Sequence, residues 1–80
     1  MSETITILAF ARAREVFGFS EKSVAFEPGQ TAGALLEKLS PGWRARFADC
    51  RLALDLEFVD AATPLRPGQT LALIPPVSGG

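Results

Sequence analysis

Thr4-Ile5-Thr6-Ile7 alternates polar and apolar positions with β-branched residues, and Leu8-Ala9-Phe10 continues it as an unbroken apolar run. The pattern predicts a strand over residues 4–10, covered on both faces toward its end and therefore inside a sheet. From Ala11 to Phe17 the period lengthens. Ala13, Val16 and Phe17 fall at i, i+3 and i+4, opposite Arg12, Arg14 and Glu15, and Gly18 stands where a short helix would end. Val24 and Phe26 then share one face of a second strand over 22–27, expected antiparallel to the first, and Pro28-Gly29 suits a type II turn. Thr31 is placed to cap a helix in which Ala32, Leu35, Leu36 and Leu39 recur on one face while Glu37 and Lys38 meet water. Ser40-Pro41-Gly42 ends that helix. Trp43 and Phe47 are four apart, so residues 42–48 are read as one more helical turn over the core.

Residues 51–55 alternate again, a turn falls at Asp55, and 56–59 continues the pattern. A loop over 60–64 and a Pro67-Gly68 turn lead to a last strand over 70–74. Two helices and four or five strands in this order predict an α+β fold, with one main helix crossing one face of a mixed sheet. The first and last strands are expected to pair in parallel at its centre. The predicted core is Ile5, Ile7, Leu35, Leu36, Leu39, Leu54, Leu71 and Leu73. If Leu71 and Leu73 face the helix, Ala72 and Ile74 point away from it, and Phe58 is expected on that same outer face. An exposed aliphatic and aromatic pair is costly unless covered, and the pattern leaves open whether a partner or the protein's own loops cover it.

Composition narrows the chemistry. Eighty residues make one domain. A net charge of −1 offers no basic field for nucleic acid or an anionic membrane surface. No histidine is present, which removes the commonest general base and the commonest metal ligand, and one cysteine forms neither an internal disulfide nor a zinc knuckle. No apolar run is long enough to span a bilayer, and Met1-Ser2-Glu3-Thr4 leads straight into the first strand. A cytoplasmic protein without membrane contact, bound metal or bound cofactor is expected.

What remains is the end of the chain. Residues 1–74 are read as the folded domain and Pro75-Pro76-Val77-Ser78-Gly79-Gly80 as a flexible tail. Six residues reach about 20 Å. Two prolines stiffen the near half, which lowers the entropy lost on entering a groove. Gly79 and Gly80 lack Cβ atoms, so they pass a narrow channel and leave the Gly80 carboxylate unhindered. A carboxylate is a poor electrophile until it is activated, usually as an acyl phosphate.

The segment from Ala72 to Gly80 resembles the C-terminal signature of the molybdopterin synthase small-subunit family, the sulfur carriers of molybdenum cofactor synthesis. Ile7-Leu8-Ala9-Phe10-Ala11-Arg12-Ala13-Arg14-Glu15 is similar to that family's first strand and helix start. Thr63-Pro64-Leu65, followed by Pro67-Gly68-Gln69 and Leu71-Ala72, resembles its penultimate loop and last strand. Asp55 stands where the family commonly has asparagine, and Pro67-Gly68-Gln69 replaces a more acidic Gly-Asp turn. The resemblance implies a ubiquitin-like β-grasp fold and a carrier that is not an enzyme on its own. It implies that a ubiquitin-activating-like adenylyltransferase uses ATP to adenylate Gly80, and that a sulfur donor then makes a thiocarboxylate. The tail would enter the large subunit, in a heterotetramer of two small and two large chains, and deliver sulfur to cyclic pyranopterin monophosphate to build the dithiolene. The family further implies partner contacts at Phe58, Ile74, Pro75, Pro76, Val77 and Ser78, with Gly79 and Gly80 entering the reaction.

Other features are read more plainly. Cys50 beside Arg51 could carry a redox or persulfide function, but a small apolar residue at a strand start fits better. Arg12, Arg14, Arg44 and Arg46 lie near Glu15 and Asp49, which favours a mixed solvated surface over a phosphate site. The fold also serves protein modifiers, interaction modules and sulfur carriers for thiamine or cysteine synthesis, and these readings stay open.

Overall fold

A computed structural model describes residues 3–76 of the chain. Its elements are β1 (Glu3–Ala9), α1 (Arg12–Phe17), β2 (Glu21–Phe26), α2 (Ala32–Leu39), α3 (Trp43–Arg46), β3 (Arg51–Leu54), β4 (Glu57–Val59) and β5 (Thr70–Ile74). The strands form one five-stranded sheet in the order β2-β1-β5-β3-β4. β1 and β5 pair in parallel, whereas β2, β3 and β4 each pair antiparallel with a neighbour. This is the mixed β-grasp arrangement expected, with the parallel pair β1 and β5 inside the sheet and β5 in the middle.

Alternation along each strand decides what the sheet buries. Ile5, Ile7 and Ala9 of β1, Leu52 and Leu54 of β3, and Leu71 and Leu73 of β5 all point to one face and are buried. α2 lies over that face through Ala32, Leu35 and Leu36, and Trp43 and Phe47 close the core beyond it. The Thr31 hydroxyl accepts the Ala34 N–H at 3.2 Å, as a capping residue should. The next two orphan amides of α2 are met by the 60–64 loop: Ala32 N–H donates to the Thr63 carbonyl at 2.9 Å and Gly33 N–H to the Ala61 carbonyl at 2.8 Å. That approach leaves no room for a side chain at Gly33, where a Cβ would stand 2.7 Å from the Ala61 Cβ.

Two expectations need correction. Leu39 is 37% exposed instead of buried. It is the last residue of α2, the chain turns inward at buried Ser40, and Trp43 and Phe47 occupy the space that another helical turn would have filled. The apolar end of β1 is not covered on both faces either. Ala9 is buried, but Leu8 is half-buried and Phe10 is 46% exposed. Their side of the sheet carries no helix, which leads to the site.

Candidate partner-docking site

The outer face of the sheet is polar over most of β1 and β2, where Thr6 pairs with Ser23. Toward the end of β5 it changes character. Register places Leu8 opposite Ala72, Ala72 opposite Ala53, and Ala53 opposite Phe58, so one row crosses four strands. The two inner members are alanines and the two outer ones are large. Small side chains between large ones make a channel, and a groove of about 490 Å³ runs there, lined also by Phe10, Thr70 and Ile74.

The groove has two distinct ends. At one, Ile74 closes β5 and pairs with Arg51, and Pro75 and Pro76 follow outside the strand. The Arg51 guanidinium lies 3.7 Å from the centroid of the Phe58 ring, a cation–π contact that fixes one face of the ring. Phe58 remains 56% exposed. At the other end the two-residue turn Asp55-Leu56 joins β3 to β4. Both residues have positive φ, 50° and 72°, which is type I′ geometry. Asp55 holds the turn to the sheet: its N–H donates to the Thr70 carbonyl and its Oδ1 accepts the Thr70 N–H, each at 2.9 Å. Leu56 has no such excuse. It is a branched residue in a conformation that costs about 1–2 kcal/mol outside glycine, and its side chain is 100% exposed.

Of the residues expected to meet a partner, Phe58 and Ile74 line this groove, and Pro75 and Pro76 follow Ile74 in the chain. Val77, Ser78, Gly79 and Gly80 lie outside the described residues. Leu8, Phe10, Arg51, Ala53 and Leu56 were not singled out by sequence reasoning. The unbroken run Leu8-Ala9-Phe10 was the available signal: a strand apolar on both sides has either two covered faces or one covered face and one for binding. Leu56, an apolar residue in a turn that prefers glycine, was another.

The remaining polar clusters offer less. Arg12 pairs with Asp49 on the surface, and the guanidinium holds the Asp49 carboxyl below the usual carboxylate range. Cys50 sits half-buried beside both and packs against the core. Burial pushes its thiol up, and the Asp49 charge adds to the effect, so the neutral, unreactive form is favoured. Among the described residues, no group of three or more cysteine or carboxylate side chains could hold a metal ion, and no helix is long and apolar enough to cross a membrane.

The sequence pattern of the ThiS family matches residues 7–80, a span that includes both the groove and the tail. The chain belongs to the ThiS family. Within that family it is similar to the molybdopterin synthase sulfur carrier subunit of Chlamydomonas reinhardtii, 33% identical over 81 aligned positions that cover 95% of this chain and 98% of the relative. The crystal structure of SAMP1 from Haloferax volcanii superposes with a TM-score of 0.77 at 25% identity, covering 96% of this chain and 99% of that one. A chain of the protein–protein complex of subunits 1 and 2 of the molybdopterin-converting factor from Helicobacter pylori shares the fold, with a TM-score of 0.60, 22% identity and coverage of 96% and 99%. The chain therefore has a ubiquitin-like β-grasp fold.

Proposed function

We propose that this chain is the sulfur-carrier subunit of a cytoplasmic molybdopterin synthase and is not catalytic by itself. The observation that carries the proposal is the end-to-end similarity to curated sulfur carrier subunits, 33% identical over nearly the whole of both chains. In this reading the Gly80 carboxylate attacks the α-phosphate of ATP on a ubiquitin-activating-like adenylyltransferase, forming an acyl-adenylate and releasing pyrophosphate. Sulfide-level sulfur from a donor then attacks the acyl carbon, displaces AMP and leaves a thiocarboxylate. The large synthase subunit binds the loaded carrier, and the sulfur passes to cyclic pyranopterin monophosphate. Two deliveries complete the dithiolene, in an assembly of two small and two large subunits.

The chain's own contribution is positional. The partner docks on the outer-face groove at Phe58 and Ile74, Pro75 and Pro76 direct the tail away from the sheet, and Val77 and Ser78 lead Gly79 and Gly80 into the partner's active site. The apolar groove beside the tail root supports this division of labour, since it supplies apolar binding area and its one carboxylate, Asp55, is already bound to the Thr70 amide. Intact-mass measurement after incubation with ATP, the adenylyltransferase and a sulfur donor tests it. A mass gain equal to one oxygen exchanged for sulfur, absent when Gly80 is deleted, is expected; no gain refutes the proposal. The structural likeness to SAMP1, the small archaeal modifier protein 1 by name, favours one second reading, in which Gly80 is joined to a lysine. Accumulation of isopeptide adducts in the same incubation would select it.

A further inference from the structure

Leu56 is a large apolar residue whose conformation and exposure the fold itself does not require. Its positive φ of 72° is strained for leucine, and a side chain 100% exposed contributes nothing to the core. Glycine at this turn position would remove both defects, because the second residue of a type I′ turn is where glycine is most at ease. A residue that costs the isolated domain stability and adds none to it has its use outside the domain.

We propose that Leu56 is an anchor for the large subunit, which covers the groove along its whole length and takes Leu56 into an apolar pocket of its own. This rests on the sulfur-carrier reading above. Four residues follow Pro76, so a partner acting on Gly80 must come within about 13 Å of the tail root. The row of Ile74 and Arg51 lies three residues from the row of Leu71 and Leu54, which the turn at Asp55-Leu56 immediately follows. That separation is about 10 Å along the strands. A standard interface of about 800 Å² per partner has a radius of about 16 Å. Centred on the Ala53–Ala72 pair, it reaches both the tail root and Leu56. Between them it meets a mostly apolar floor, and among the described residues the only charged side chain lining the groove is Asp55, whose carboxylate is already bound to the Thr70 amide. The surface that fits is therefore an apolar ridge with a pocket at its far end, opposed at the near end by a group that tolerates the Arg51 cation.

Calorimetric titration of the wild-type chain, Leu56→Gly and Leu56→Met against the large synthase subunit of the same organism tests the proposal. Leu56→Gly is expected to melt at or above the wild-type temperature and to bind about ten- to a hundredfold more weakly, the loss of one buried leucine. Leu56→Met, which keeps the apolar bulk, is expected to stay within a fewfold of wild type. Equal affinity of Leu56→Gly and wild type overturns this inference and leaves the carrier reading standing. A wild-type chain that does not bind the large subunit overturns both. Concentration-dependent self-association that Leu56→Gly abolishes, with binding to the large subunit unaltered, assigns Leu56 to a second copy and likewise overturns it.

Discussion

Ala53 and Ala72 lie opposite each other on β3 and β5, face away from the helix, and are nonetheless only 5% and 9% exposed. Their burial comes from the flanking bulk of Leu8 and Phe58 at the ends of the same cross-strand row. Two methyl groups between two large side chains turn a flat sheet into a groove. The groove is thus a property of side-chain size at four registered positions, and it can be filled without touching the core.

Ala72→Leu is predicted to do that. The open groove has space for the added atoms, so stability should change by less than about 1 kcal/mol. Affinity for the large subunit should fall at least tenfold, as read by titration. Unaltered binding would place the interface elsewhere.

Phe58→Asp separates surface from core. Phe58 gives up its contact with Arg51, which is worth about 0.5–1 kcal/mol at an exposed site, and no core packing. Circular dichroism should show a folded domain, while binding to the large subunit weakens by about 2 kcal/mol or more, the level of an interface hot spot. A variant that unfolds would mean that Phe58 belongs to the core.

The two leucines of α2 should respond differently. Leu36 is fully buried, and Leu36→Ala is predicted to cost about 2–5 kcal/mol in urea unfolding. Leu39, partly exposed at the helix end, should cost less than about 1 kcal/mol when cut to alanine. Equal losses would contradict the helix position described.

Gly33→Ala sets helix propensity against space. Alanine favours a helix by about 1 kcal/mol over glycine, but its Cβ would meet Ala61 at 2.7 Å and crowd the loop that caps the helix. Overpacking typically costs about 1–3 kcal/mol, and here it also strains the Gly33–Ala61 hydrogen bond. A lower melting temperature is expected; a higher one would show that the loop moves aside freely.

Cys50 predicts an alkaline effect. Burial raises its folded-state pKa, so the folded chain prefers the neutral thiol more than the unfolded chain does. That stability is fully present below the unfolded thiol's pKa and is lost as pH rises through the folded one. As pH rises through and above the unfolded thiol's range the wild type should therefore lose more stability than Cys50→Ala. Parallel pH profiles would show that the thiol ionises equally in both states.

The main elements were legible in the chain because they follow from local periodicity. Ile5 and Ile7 at spacing two, Ala32, Leu35 and Leu36 at helical spacing, Thr31 as a cap and Gly18 as a left-handed stop each depend on near neighbours alone. The parity of β5 likewise separated Leu71 and Leu73 from Ala72 and Ile74 before any contact was known. The tail's character, Pro-Pro then Gly-Gly, was also a matter of local composition. Tertiary structure decided everything that depends on registering distant segments. Only strand pairing could bring Leu8, Ala72, Ala53 and Phe58 into one row and set Arg51 on the Phe58 ring. Only the docking of the 60–64 loop could make Gly33 a spatial requirement. Leu39 and Phe10 show the same limit: periodicity says which side of an element a residue lies on, but exposure depends on whether another segment covers that side, and coverage is a long-range property of the fold.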